Sequence, residues 1–290
     1  MAMRYRKSKK NSQAKEVWRR FKKSKTAMIG LFMLIIILGV AIFADVIVPY
    51  ENAITQNGKD NLQGPSAKHF FGTDQLGRDM FARVVHGSRY SLLIGISTSV
   101  IALIIGGLLG AVAGYYGGAV DNIIMRVMDV FMSVPPVLLS LAVVAALGPS
   151  LRNLLIAITI SCVPSTVRLI RAVVLTVVDQ DYIETARSYS STDLRIILKY
   201  VLPNAMGPII VNTTMGIATM ILSAAGLSFI GMGVQPPAPE WGALLSSARQ
   251  HMFKHPYLLY FPGFAILLAA LSFNLVGDGL RDALDPKLKD

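Results

Sequence analysis

Long stretches of this chain carry no charge. Ala27 to Ala44 is one such run, Tyr90 to Val120 a second, and Tyr200 to Pro239 a third of 40 residues. A helix rises about 1.5 Å per residue, so roughly 20 apolar residues cross a hydrocarbon core about 30 Å thick. The pattern predicts six spans, near 26–48, 91–114, 122–147, 153–175, 204–227 and 256–277. The third uncharged run is too long for one span. Gln235-Pro236-Pro237-Ala238-Pro239 cannot continue a helix, so the fifth span ends near Leu227. The first run follows basic residues, as a signal peptide would. It is longer than a typical apolar signal segment and no A-x-A pattern closes it, so it is expected to stay as a span.

Composition agrees. Of 290 residues 53% are apolar and 16% charged, and mean hydropathy is +0.53; soluble domains are about 25% charged. The net charge of +11 is concentrated in the first 25 residues, which hold eleven Lys/Arg and one Glu. A basic arm directly before an apolar run reads as an anchor beside anionic lipid headgroups. No nucleic-acid reading module follows it, so no nucleic-acid partner is expected. Six spans put both termini on one side. With the N-terminus cytoplasmic, cytoplasmic segments hold 20 Lys/Arg and external segments 8, as the positive-inside rule requires. The expected organisation is a basic cytoplasmic arm (1–25), a first transmembrane helix (26–48), an external segment (49–89), a five-helix core (90–280) and a cytoplasmic tail (281–290). Within the core, 181–203 is a cytoplasmic loop and 228–255 an external one.

Gly106, Gly110 and Gly114 fall four apart and predict a smooth helix face for close packing. Pro135-Pro136 interrupts the third span and reads first as a kink, with a broken helix beside a cavity as the alternative. Arg168 and Arg171, near one end of the fourth span, are expected to snorkel to the interface. Arg126 and Asp129 have the spacing of a same-face pair.

Catalytic signatures fail one by one. Gly72-Thr73-Asp74-Gln75-Leu76-Gly77-Arg78-Asp79 has the glycines of a phosphate loop but neither its lysine nor its hydroxyl. His251 and His255 lack the glutamate of a zinc protease helix, and His69 and His86 also map outside. Cys162 alone forms no disulfide or cysteine-rich metal site. A pore subunit, not an enzyme, is expected.

The charged interruption from Asp179 to Asn204 reads as two short helices. The first, near 181–188, carries Asp181 and Glu184 in its early turns, where acids suit the helix dipole. Ser190-Ser191-Thr192-Asp193 breaks it and offers caps. The second, near 193–201, is expected to bury Leu194, Ile197, Leu198 and Val201, with Pro203 as its stop.

These residues carry a resemblance. Glu184-Thr185-Ala186, followed by an apolar stretch ending in Leu202-Pro203, resembles the cytoplasmic EAA motif of ABC importer permeases. Thr185 stands for the first Ala, and Ser190 for the family Gly. Phe71 to Asp79, Gly114-Tyr115-Tyr116-Gly117-Gly118, and Gly226 to Pro237 with Pro239-Glu240-Trp241-Gly242 resemble the dipeptide/oligopeptide/nickel permeases, C-type subunit. The likeness runs from the basic arm to Asp285-Pro286.

The resemblance implies an all-α polytopic protein with six transmembrane helices and a cytoplasmic coupling-helix loop, the type I ABC importer permease fold. It implies a peptide importer of the bacterial or archaeal cytoplasmic membrane, with nickel or a metal chelate as the alternative cargo. Partners would be a homologous second permease subunit, two ATP-binding subunits and an extracytoplasmic solute-binding protein. ATP and Mg would sit on the partners, leaving this chain without a cofactor or metal. Asp181, Glu184, Thr185, Ala186, Arg187, Ser190, Asp193, Leu202 and Pro203 would couple to the ATPases. Gly72, Asp74, Gly77, Arg78, Asp79, Pro236, Pro237, Glu240 and Trp241 would serve entry or binding-protein contact. A secondary transporter is the rival, but it would call for ionisable groups deep in the spans, which are almost free of them.

Overall fold

A computed structural model describes residues 13–189 and 191–285. The described residues form helices joined by loops, of which 55–79 and 230–240 are the longest irregular stretches. In order they form α1 (Gln13–Phe21), α2 (Lys25–Ile42), α3 (Ala44–Ile47), α4 (Tyr50–Ile54), α5 (Met80–Tyr116), α6 (Gly118–Met132), α7 (Pro136–Leu147) and α8 (Leu151–Val178). There follow α9 (Asp181–Ser188), α10 (Asp193–Ile196), a π-helical turn (Ile197–Val201), α11 (Leu202–Phe229), α12 (Trp241–Ala248) and α13 (Tyr257–Leu284). Five helices are long and apolar enough to cross a membrane; the bent pair α6–α7 makes six spans if it counts as one.

The expected third span is not a straight helix. Its halves meet at 80°. Pro136 lacks the N–H that would bond back to Met132, and Pro135 disfavours helical backbone before it. Pro135 and Pro136 instead begin a new helix, where a proline costs nothing.

The second span is longer than its uncharged run. Asp79 caps it by accepting from the Ala82 N–H at 2.9 Å, and it runs 37 residues, or about 55 Å, to a Gly117 cap at φ +62. Its first turns carry charged and polar groups that the pattern reads as loop. Each bonds a carbonyl from earlier in the chain: Arg83 donates to Ala53 O (2.8 Å), His86 bonds Val48 O (2.8 Å), and Arg89 donates to Ala41 O (2.6 Å).

The predicted glycine face is real and belongs to the α5–α8 contact. A Cβ at Gly110 would lie 2.7 Å from the Val167 carbonyl oxygen and 2.9 Å from Ile170 Cβ. Gly106 meets Thr166, and Gly114 meets Val174, just as closely. On the far side of the bundle, Gly30 of α2 lies against Leu275 of α13.

The arginines of the fourth span do not simply snorkel. Arg171 clamps Asp121 of α6 through Nε and Nη2, one to each carboxylate oxygen. Arg168 bonds Asp129 at 2.6 Å. Asp129 therefore pairs across helices, not with Arg126 along its own. Two ion pairs staple α6 to α8.

The bundle has two distinct ends. At one, Phe21 of α1 packs on Gly279 and Ala27, Leu284 approaches Gly207, and α9 and α10 lie across the ends of α5, α8 and α11. We call this the platform end. At the other, segment 49–79 and α12 cover the start of α5.

Candidate functional site

At the platform end, α9 turns Ile183 and Ala186 inward and leaves Asp181, Glu184, Thr185 and Arg187 outward. Ile183, Ala186, Ile196, Ile197 and Val201 join Ala111 and Tyr115 of α5, Val174 and Val177 of α8, and Ala205 of α11 in one apolar cluster. Burying such side chains stabilises by roughly 1.5–3 kcal/mol each, so the platform is packed onto three spans at once. A polar latch reinforces it. The Tyr115 hydroxyl donates to Asp193 Oδ1 at 2.8 Å, and the Arg187 guanidinium sits 5.0 Å from the Tyr115 ring centre. The structure thus joins Arg187 and Asp193 through Tyr115, whose role the sequence pattern did not single out. Ser190, the position of the family Gly, lies outside the described residues.

Two expectations for this segment are corrected. Leu194 and Leu198 are exposed, at 66% and 55%, while Ile196 is fully buried. A helix of period 3.6 cannot bury Ile196, Ile197 and Val201 together with 194 and 198. Nor does Pro203 stop the helix. The chain stays helical from Asp193 to Phe229. Its π turn lets the Leu202 N–H reach back to Ile197 O just before Pro203, which has no N–H to give Lys199. Leu202 and Pro203 therefore open α11.

The loop-end residues are also placed differently from the expectation. Asp74 and Arg78 form a 2.7 Å ion pair and are almost wholly buried, as are Glu240 and Trp241. Gly72 and Gly77 have positive φ, and a Cβ at Gly77 would overlap Asn57 O. Asp79 caps α5 and bonds His69 at 2.8 Å. Glu240 caps α12, accepting from Gly242 N–H (2.9 Å) and Ala243 N–H (2.8 Å); burial raises its carboxyl pKa, against those bonds. The Trp241 indole donates to Val84 O at 2.9 Å. These side chains are consumed inside the loop and hold it on α5. Pro236 and Pro237 remain exposed.

A third feature was not anticipated. Between α5, α8 and α11 lies a cavity of about 300 Å³, bordered by Ser165, Thr166, Asn212, Thr213 and Thr219. It shares Cys162, Ser165, Thr219 and Met220 with a second cavity of about 190 Å³, to which α7 contributes Pro136 and Ser140. The break in the third span thus borders a cavity. Neither lining holds a charged residue. The signal was present in the sequence. Ser161 and Ser165 on one span, and Asn212, Gly216, Thr219 and Ser223 on the next, recur at three and four residues and mark one helix face.

Five or six spans, a short-helix platform at one end and a polar-lined face between spans are what the transmembrane subunit of an ABC importer is expected to have. Residues 106–290 match the family described as "Binding-protein-dependent transport system inner membrane component", and residues 12–65 match "N-terminal TM domain of oligopeptide transport permease C". The chain belongs to that binding-protein-dependent permease family. It is a multi-pass inner-membrane component of an ABC transporter, not an enzyme, and ATP is handled on partner ATPase chains.

Among its relatives, the dipeptide transport system permease protein DppC of Alkalihalophilus pseudofirmus is 47% identical, over 95% of this chain and 90% of that one. The di/tripeptide transport system permease protein DppC of Pseudomonas aeruginosa is 45% identical, over 96% and 94%. The glutathione transport system permease protein GsiD of Escherichia coli is 48% identical, over 94% and 90%. In fold alone, the chain is similar to the inward-facing MetNI methionine ABC transporter (TM-score 0.58, 17% identity, 71% of this chain and 98% of that one). It is likewise similar to an amino acid ABC transporter with histidines (TM-score 0.53, 17% identity, 72% and 95%).

Proposed function

We propose that this chain is one of two permease subunits in an ATP-driven importer of small peptides, and that segment 181–203 is its coupling lever. The observation that carries the lever is the packing of α9 and α10 into one apolar cluster with the ends of α5, α8 and α11. A force on the platform passes through this packed cluster and reorients the spans as a body. The outward face pairs charged Asp181, Glu184 and Arg187 with exposed Leu194, Leu198 and Tyr189. A mixed apolar and charged surface suits a protein partner, here the two ATPases.

The platform end is then cytoplasmic, together with both termini, as the lysine and arginine distribution expects. The loop end faces outward, where Pro236 and Pro237 offer contact to the solute-binding protein. A homologous second permease closes the pathway over the α5–α8–α11 face. Peptide cargo is supported by the dipeptide, di/tripeptide and glutathione permeases that resemble the chain. It is also supported by cavity linings that carry no carboxylate or imidazole to hold a bare divalent ion.

The test is Glu184→Lys in the reconstituted complex. Peptide uptake and peptide-stimulated ATP hydrolysis should both fall at least tenfold. Wild-type values for both would remove the lever assignment.

A further inference from the structure

We infer that Ser165, Thr166 and Thr213 form a hydrogen-bond acceptor patch on the α5–α8–α11 face, built to take an N–H or ammonium group of a peptide. This rests on the peptide-importer reading above and specifies the chemistry of its pathway.

The inference follows from where the hydroxyl protons go. A backbone carbonyl only accepts, so a hydroxyl oxygen within bonding distance of one must be donating to it. Ser161 donates to Ala157 O at 3.0 Å, Ser165 to Cys162 O at 2.8 Å, Thr166 to Cys162 O at 3.1 Å, and Thr213 to Ile209 O at 2.8 Å. Each of these protons is turned back into its own helix, whereas Ser140, at the head of α7, lies 3.0 Å from Pro136 O and 2.8 Å from the Ser161 oxygen and ties α7 to α8. What remains toward the cavity is the oxygen and its lone pairs. Asn212 differs: its amide nitrogen donates one N–H to Pro208 O at 2.9 Å and keeps a second, so it brings a donor as well as an acceptor to the cavity it borders.

A second observation points to a ligand. Ser99, which lines the same cavity from α5, is only 6% exposed, and its hydroxyl has no hydrogen-bond partner. Buried hydroxyls are seldom left so.

The chemistry matches the invariant part of a peptide. A linear peptide with a free N-terminus offers an ammonium group, and each of its peptide bonds not made to proline offers an amide N–H, whatever its side chains. A patch of neutral acceptors attracts these without a fixed charge, so it orders the cargo yet does not trap it. Side chains meet Leu169, Met220 and other apolar groups that discriminate little.

The experiment uses the full complex with its solute-binding protein in proteoliposomes. Uptake of a dipeptide is compared with uptake of the same dipeptide methylated on its amide nitrogen, which has one donor fewer. The wild-type complex is expected to favour the unmethylated peptide by about fivefold, the equivalent of one hydrogen bond. Ser165→Ala combined with Thr213→Val should bring that ratio to about one. Ser165→Thr, which keeps a hydroxyl, should retain it. The solute-binding protein is the same in every arm, so a changed ratio arises in the permease. A ratio unmoved by the double substitution overturns the acceptor surface while leaving the importer reading intact. Failure of the wild-type complex to import either peptide overturns both.

Discussion

Tyr115, in the last turn of α5, donates a 2.8 Å hydrogen bond to Asp193 at the first turn of α10. The two residues are 78 apart in sequence, and their contact ties the longest span to the platform. Tyr115→Phe keeps the ring under Arg187 and removes only this bond, worth about 1 kcal/mol. The complex should still assemble, but ATP hydrolysed per peptide imported should rise roughly fivefold. An unchanged stoichiometry would show that the apolar cluster alone holds the platform.

Gly110 and Gly107 should respond with opposite signs. At Gly110 a Cβ meets backbone of α8 at 2.7 Å, whereas at Gly107 the nearest atom is the flexible end of Ile170 at 3.9 Å. Gly110→Ala is expected to destabilise by about 1–3 kcal/mol through forced separation of α5 and α8. Gly107→Ala should be neutral or stabilise by up to about 1 kcal/mol, as helix propensity dictates. Thermal unfolding of the purified subunit complex reads both.

The two staples between α6 and α8 differ in burial. Arg171 and Asp121 are 29% and 14% exposed, while Arg168 and Asp129 are 48% and 59%. Asp121→Ala leaves a largely enclosed guanidinium without its bidentate partner and should cost about 2 kcal/mol or more. Asp129→Ala should cost under about 1 kcal/mol. Exchanging the pair, with Asp121→Arg and Arg171→Asp together, should recover part of the loss. Equal effects at 121 and 129 would contradict the burial argument.

Acid should loosen the loop end. Asp60 is held below the usual carboxylate range, first by the hydrogen bond from Lys68, whose Nζ lies 2.9 Å away. The folded loop thus favours the charged form. Its contribution is complete above the ordinary carboxylate pKa and is lost as pH falls through that value toward the lowered one. Lys68→Ala removes the contribution, so amide exchange across residues 57–79 should be faster in the variant near neutrality. The difference between variant and wild type should shrink as pH drops below about 4.

The spans were legible because a missing charge is a local property: each residue of an uncharged run reports on itself. The platform's first short helix was legible for the same reason, through acids in its first turn, whereas the second is the start of the helix that runs on to Phe229. What escaped reading depended on distant partners. Nothing near Arg83, His86 and Arg89 reveals that carbonyls of residues 53, 48 and 41 wait for them, so the start of α5 looked like loop. Asp129 was assigned its neighbour in sequence, Arg126, when its true partner is 39 residues away. Pro203 looked like a stop because a π turn, which absorbs the missing N–H, leaves little trace in composition. Asp74, Arg78 and Glu240 looked available because charge usually implies exposure, whereas here each charge is spent inside a loop. The polar face of α8 and α11 was written in the spacing of serines and threonines, but such residues are common in spans and become informative only beside a cavity.

The continuity of α5 has a consequence for signalling between compartments. One helix begins at the Asp79 cap, against the loop end, and ends at the Tyr115 latch, against the platform. Two sites that each favour one position of the same stiff body are thermodynamically linked, and linkage runs both ways with equal strength. If engagement of the ATPases shifts α5 enough to weaken a docked solute-binding protein, then docking of that protein must alter ATPase engagement by the same factor. On this account, the importer senses a loaded delivery protein outside by the helix that also answers to nucleotide inside.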